Sequence, residues 1–311
     1  MIEDVGGEIR RSAFELPAFG FGSAPIGDLY ESVGEERATA TIHRCLELGV
    51  TLFDTAPSYG AGLAEARLGR GLNGVERARF TVSTKVGWLF DDDIRRPDFT
   101  AAGVRRSLES SLQRLGVDAV DVVHVHDPDD HMDVALSETI PALLRLRDEG
   151  VIGAVGVGMN TSALLTPFVR DADIDVVLVA GRYTLLEQPA LGDLLPACVE
   201  RGVRVIAAGV YNSGLLADPR PDGHYNYGAV PEEKLARALR IQEVCSNYGV
   251  PLKAAALQFP HAHPAVGSVI VGAATPDEIA ENVRLRDWPI PDQLWVALVA
   301  DGLLAADTPT P

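Results

Sequence analysis

Short apolar runs rich in Val, Ile and Ala recur along the chain, and the stretches between them repeat their apolar positions every three or four residues. The first pattern predicts buried strands and the second amphipathic helices. Strands are predicted at residues 19–26, 51–53, 80–86, 120–126, 152–157, 175–179, 204–208 and 268–271. Helices are predicted at 35–48, 63–72, from a Thr100 cap to Leu115, and at 136–148, 162–170, 191–201, 232–248, after Pro251, 276–285 and 291–304. Two segments stand outside this rhythm. Residues 1–17 are polar and are expected to form a short extension or hairpin over one end; 209–231 is a loop rich in Gly, Pro, Asn and Tyr.

Nearly every strand is followed by a helix, which makes the sheet parallel. Eight such units without a linker predict an α/β fold, a (β/α)8 TIM barrel with a C-terminal helix, as a single domain over 1–311. An open doubly wound sheet is the alternative, but it usually carries a phosphate-binding glycine loop after its first strand, and none lies there. Gly69-Arg-Gly-Leu-Asn-Gly74 has the spacing of such a loop. It ends a helix instead of joining a strand to one, and so predicts a helix terminus and turn.

A parallel barrel delivers its functional side chains at the carboxyl ends of the strands. Thr51-Leu-Phe-Asp-Thr-Ala-Pro-Ser-Tyr-Gly60 places Asp54 and Tyr59 where the second strand gives way to a loop. Lys85 lies near the end of the next strand and His126 at the end of the one after. Taken alone, Asp54 and Tyr59 read as turn and packing residues, and Lys85 could equally snorkel to solvent. Together the four read as a proton-transfer site. Free phenol titrates near ~10, and a cation about 4 Å away contributes up to roughly 4 kcal/mol toward its ionised form. Lys85 is the candidate cation, Asp54 its counter-charge, and His126 a hydrogen-bond donor to a substrate oxygen. His124 shares the face of His126 two residues earlier and is expected to be a hydrogen-bonded core residue. No third ligand accompanies this pair, so no metal is expected.

The bulk numbers narrow the partners. The chain has 311 residues, 47% hydrophobic and 23% charged, with a formal charge of −17. That charge argues against nucleic acid and anionic membranes, both of which need basic patches. No apolar run approaches ~20 residues, and Met1-Ile-Glu-Asp4 lacks a basic leader, so neither membrane span nor signal peptide is expected. Cys45, Cys198 and Cys245, odd in number and widely spaced, suit reduced thiols and a cytoplasmic protein. A small-molecule substrate remains as the partner; the sequence is silent on oligomeric state.

Three stretches resemble the aldo-keto reductase family, and the resemblance covers almost the whole chain. They are Leu52-Phe-Asp-Thr-Ala-Pro-Ser-Tyr-Gly60 with Ala64-Glu65 and Leu68-Gly69; Arg106-Ser-Leu-Glu-Ser-Ser-Leu-Gln-Arg-Leu-Gly116 running to His126; and Ile270-Val-Gly-Ala-Ala-Thr-Pro-Asp-Glu-Ile279 with Glu281-Asn282. The resemblance implies a TIM barrel that binds a nicotinamide cofactor, with Asp54, Tyr59, Lys85 and His126 as a catalytic tetrad and Tyr59 as its acid/base. It implies a cofactor site that includes Asp54 and Asn160. The pyrophosphate would lie around Tyr211, Ser213, Gly214 and Leu215, and the adenosine end around Gly272, Thr275, Glu278 and Asn282. Gly272 and Glu278 stand where NADP-using members carry cations, so NAD is expected over NADP, with NADP possible.

The chain departs from the family pattern at Met159, at Ala180 where a carboxamide-binding glutamine is usual, at Ala208 where a tyrosine stacks on nicotinamide, and at Asp127 where tryptophan is usual. These departures, with His126-Asp-Pro-Asp-Asp-His131 and Asn212-Ser-Gly-Leu-Leu216, resemble the branch of L-fucose and D-threo-aldose 1-dehydrogenases, close to pyridoxal 4-dehydrogenase. That branch implies oxidation of a cyclic hemiacetal to a lactone. Tyr30, Trp88 and Asp127, with His224, Tyr225 and Tyr227, are the expected substrate-side groups. An NADPH-dependent aldehyde or ketone reductase is the enzymatic alternative, and a non-catalytic cofactor-sensing subunit the remote one.

Overall fold

The structure is a computed structural model that describes residues 15–29, 31–91, 94–226 and 228–311. Most of the expected N-terminal extension, together with Tyr30 and Tyr227, therefore lies outside the described residues.

Eight parallel strands close into a barrel. They are β1 (Phe19–Gly22), β2 (Leu52–Asp54), β3 (Thr81–Val86), β4 (Val120–His126), β5 (Ile152–Met159), β6 (Val176–Ala180), β7 (Arg204–Ala208) and β8 (Val266–Gly272). Each strand pairs with its successor, and β8 closes the ring on β1 with Gly272 level with Gly22. Alternate residues of a strand face opposite sides. Leu52, Val122, Ala154, Val176, Ile206 and Ile270 accordingly form a small apolar core of their own. The intervening residues join the larger core beneath the surrounding helices. Further along the same inward faces come Asp54 one step after Leu52, and His124 and His126 one and two steps after Val122. The lumen is thus apolar at its floor and polar at its rim.

Several elements have the predicted bounds, among them Leu63–Leu72, Val120–His126 and Arg204–Ala208. Thr100 caps Ala101–Leu115 by accepting a hydrogen bond from the Gly103 amide at 3.1 Å. The differences have local causes. β1 stops at Gly22 because Pro25 opens a 3-10 turn, Pro25–Gly27. The helix expected from residue 136 begins with Met132–Val134 and passes through a π turn, Ala135–Thr139, before Ile140–Asp148. Pro141 cannot donate to the turn before it, and the ladder widens there. Gly69 and Gly71 lie inside the helix Leu63–Leu72, with Gly74 in the turn beyond at φ +81°. Two short hairpins were not foreseen: Trp88–Asp91 with Ile94–Pro97, and His224–Tyr225 with Gly228–Ala229.

The helix Leu63–Leu72 is fastened by Glu65, whose fully buried carboxylate accepts from Thr84 Oγ1 at 2.6 Å and Arg114 Nε at 2.7 Å. This links the helix after the Tyr59 loop to β3 and to Ala101–Leu115. The three cysteines are free and buried. Among the described residues no helix is long and apolar enough to cross a membrane.

Candidate active site

Asp54 closes β2, and Lys85 is the last inward residue of β3. Lys85 Nζ lies 2.6 Å from Asp54 Oδ2 and donates to the Thr55 carbonyl at 2.8 Å. Ser83, two residues before Lys85 on the same face, donates to Asp54 Oδ1 at 2.9 Å. The two charged side chains are 1% and 2% exposed. Burial is the largest influence on Lys85 and pulls its pKa down, but the charge and hydrogen bond of Asp54 and those of Tyr59 outweigh it. The group is held above its ordinary value, as an ammonium.

Tyr59 stands over that ammonium, with Nζ 4.9 Å from the ring centroid and in hydrogen-bonding relation to the hydroxyl. Its ring meets His126 edge-on, centroids 6.1 Å apart at 88°. Burial, then Lys85, Arg95 and His124, hold His126 well below the usual histidine range, so its imidazole is neutral. A neutral imidazole can still donate one hydrogen bond to a substrate oxygen. Asp54, Tyr59, Lys85 and His126 therefore share one end of the lumen. There a charged lysine touches a phenol, and a neutral donor faces it.

His124 lies level with Lys85 across the β3–β4 ladder. It is fully buried as expected, but among the described residues neither ring nitrogen has a hydrogen-bond partner, contrary to expectation. Burial first and Lys85 second push its pKa down to about 3. The ring fits because residue 156 is glycine: a Cβ there would meet His124 Nδ1 at 2.4 Å and the Val176 carbonyl at 2.7 Å.

Sequence reasoning missed the hairpin after β3. Trp88 Nε1 donates to the His126 carbonyl at 2.7 Å, tying the hairpin to the end of β4. Arg95, on the returning strand, lies 3.6 Å from the centroid of the Trp88 ring. The signal was present in Trp88-Leu-Phe-Asp-Asp-Asp-Ile-Arg-Arg-Pro97, two short runs around an acidic turn. Asp127 sits beside this pair, its Oδ2 3.6 Å from His126 Nε2. Burial and Asp129 raise its pKa to about 6 against the opposing pull of Arg95 and Lys85.

The expected cofactor residues gather on the neighbouring arc of the rim. Tyr211 donates from its hydroxyl to Asn282 Oδ1 at 2.9 Å, joining the loop after β7 to the helix Pro276–Arg286 after β8. Asn212, Ser213 and Gly214 take φ values of +48°, +58° and +95°. Such tight turns present backbone amides to anions. Leu215 is buried beneath, Asn160 is half-buried at the end of β5, and Gly272 is exposed beside Gly22. Glu278 is exposed at the start of its helix. Its amide donates to Thr275 Oγ1 at 3.2 Å, and its Oε2 accepts from the Ala274 amide at 2.7 Å. Buried Ser23 Oγ, Thr55 Oγ1, His126 Nδ1 and Asn212 Oδ1 have no partner among the described residues, and all four lie at or just beyond strand carboxyl ends. A turn suited to an anion and unpartnered polar atoms along one rim fit a dinucleotide. Met159, Ala180 and Ala208 contribute only apolar side chains there.

A model of the aldo/keto reductase family matches residues 18–300. The chain belongs to the aldo/keto reductase family. Among its curated relatives is a D-threo-aldose 1-dehydrogenase from Pseudomonas sp, 43% identical over 95% of this chain and 96% of the relative. A pyridoxal 4-dehydrogenase from Microbacterium luteolum is 35% identical over 96% of this chain and 97% of the relative. Among solved structures, the holo form of an aldo-keto reductase from Bacillus halodurans superposes with a TM-score of 0.78 at 26% identity, covering 96% of this chain and 97% of that one. The family resemblance read from the three stretches, and the branch resemblance read from the departures with residues 126–131 and 212–216, are borne out by these relatives. This aldo/keto reductase is an oxidoreductase whose barrel is the family's (β/α)8 fold.

Proposed function

We propose that this aldo/keto reductase oxidises a cyclic hemiacetal, foremost an aldose at C1, to its lactone with NAD as the oxidant. The observation that carries the reading is the buried Asp54–Lys85 pair set against the Tyr59 phenol. Lys85, kept charged by Asp54, stabilises the phenolate of Tyr59, and that oxygen takes the proton of the substrate hydroxyl. Neutral His126 donates to the same substrate oxygen and fixes its approach. A bound nicotinamide supplies the hydride acceptor. C1 loses its hydrogen with two electrons, the hydroxyl loses its proton to Tyr59, and the C–O bond becomes the lactone carbonyl.

The preference for an aldose follows the higher identity to the D-threo-aldose 1-dehydrogenase, 43% against 35% for the pyridoxal enzyme. Pyridoxal is the second reading, favoured by the aromatic face that Trp88 offers beside Asp127. Preference for NAD follows from Gly272 and Glu278, which offer no cation to a 2′-phosphate. The test is a panel of fucose, galactose, arabinose, their epimers and pyridoxal, each with NAD and NADP at alkaline pH, followed by absorbance of the reduced cofactor. NAD-linked oxidation of at least one aldose is expected. Vigorous NADPH-dependent reduction of simple aldehydes without any such oxidation would refute the proposal.

A further inference from the structure

Asp127 departs from the strand that leads to it. β4 ends at His126, and the alternation of a regular strand would send the next side chain to the opposite face. Asp127 instead takes φ +44° while its amide still donates to the Gly158 carbonyl at 2.9 Å. The backbone thus stays in register with β5, and the left-handed turn brings the carboxylate round to His126, Oδ2 to Nε2 3.6 Å. Non-glycine residues pay for this conformation, although aspartate pays less than most. A cost borne at the rim of a site, where the strand could simply have ended, points to a use for the carboxylate.

The surroundings fix where that carboxylate can act. Trp88 is fastened to the His126 carbonyl at 2.7 Å, and the Arg95 guanidinium carbon lies over the Trp88 ring, 3.6 Å from its centroid. A stacked guanidinium is ordered without spending its donors. We infer that Asp127 reads the substrate carbon next to the reacting one: its carboxylate accepts the hydrogen bond of a hydroxyl vicinal to the hydroxyl held by His126, with Arg95 as the positioning cation beside it. Vicinal hydroxyl oxygens lie about as far apart as hydrogen-bonded ones, so an oxygen on His126 Nε2 leaves its neighbour within reach of Asp127. The preferred substrates are then 2-hydroxy hemiacetals, the aldoses. The hemiacetal of pyridoxal carries no hydroxyl on the adjacent carbon and cannot use this contact.

The inference rests on the aldose reading above, and the experiment separates the two. kcat/KM is measured with NAD for an aldose and its 2-deoxy counterpart, L-fucose with 2-deoxy-L-fucose and D-galactose with 2-deoxy-D-galactose. The enzymes compared are wild type, Asp127→Gly and Asp127→Asn; glycine keeps the left-handed turn without strain, and NAD affinity by fluorescence quenching reports that each variant is intact. Wild type is expected to favour the 2-hydroxy sugar by about 10- to 100-fold. Asp127→Gly should bring the two within about threefold, chiefly through KM, with NAD affinity unchanged.

Discrimination in the wild type should fade as the pH falls through about 6, where the carboxylate protonates. Among the described residues, the charged groups facing it besides Arg95 are Lys85 and Asp129, with His126 adjacent. Arg95→Gln should move the loss to higher pH, and Asp127→Asn should abolish the dependence. Equal rates on both sugars in wild type, or discrimination surviving in Asp127→Gly, would overturn the inference while leaving the aldose reading standing. No aldose oxidation at all would remove both.

Discussion

Lys85 and Asp54 form an ion pair at 2.6 Å in which neither side chain is more than 2% exposed. A pair so deeply buried contributes little net stability, because desolvation offsets most of the attraction, yet breaking it leaves an uncompensated charge in the barrel. Lys85→Met is therefore expected to destabilise the protein by about 3–5 kcal/mol, read by denaturant unfolding. It should also lower kcat and move surviving activity to higher pH, since the phenol loses its cation. Unchanged stability would mean that Asp54 finds another partner or is not charged.

Tyr59→Phe removes one oxygen and keeps the ring that packs on Lys85 and His126. Turnover should fall by about 10²-fold or more, while NAD affinity by fluorescence quenching stays within a small factor. Near-normal kcat in this variant would assign the proton transfer to another group.

His124 is neutral in the folded protein and titrates near its ordinary 6.5 when unfolded. The unfolded chain therefore binds the extra proton first as pH falls. Stability from this residue is complete above pH 6.5 and is lost between there and about pH 3, at up to about 1.4 kcal/mol per pH unit. Urea unfolding as a function of pH should show a shallower acid limb for His124→Leu than for wild type. Parallel limbs would contradict the assignment of a neutral buried ring.

Glu278 holds the start of its helix through Ala274 and Thr275. Glu278→Arg should reduce the preference for NAD or reverse it, as kcat/KM with the two cofactors will show, because a guanidinium replaces a carboxylate near a 2′-phosphate. The same substitution should cost about 1 kcal/mol of stability through the lost cap. Equal kcat/KM for NAD and NADP in the parent protein would count against the cofactor assignment.

Much of the architecture was legible from local pattern. Eight apolar runs separated by helices imply a parallel sheet covered by helices, and the lack of a phosphate-binding glycine loop after the first strand favoured a closed barrel over an open doubly wound sheet. Asp54, Lys85 and His126 could be placed at one rim because each lies at the carboxyl end of its strand, and the period of two puts Lys85 and Ser83 on one face. Distances across the lumen were not legible. The 2.6 Å contact of Lys85 with Asp54 depends on the register between β2 and β3, which the chain specifies only when both strands close on the barrel. The unpartnered state of His124 was equally hidden, since it depends on what β5 and β6 bring against the ring. Arg95 over Trp88, and Asp127 turned back beside His126, arise from a hairpin and a left-handed residue at strand ends. There the periodic signal stops and backbone torsion decides where a side chain points. Period and composition determined which residues reach the mouth of this barrel; closure and the loops above it decided which of them touch.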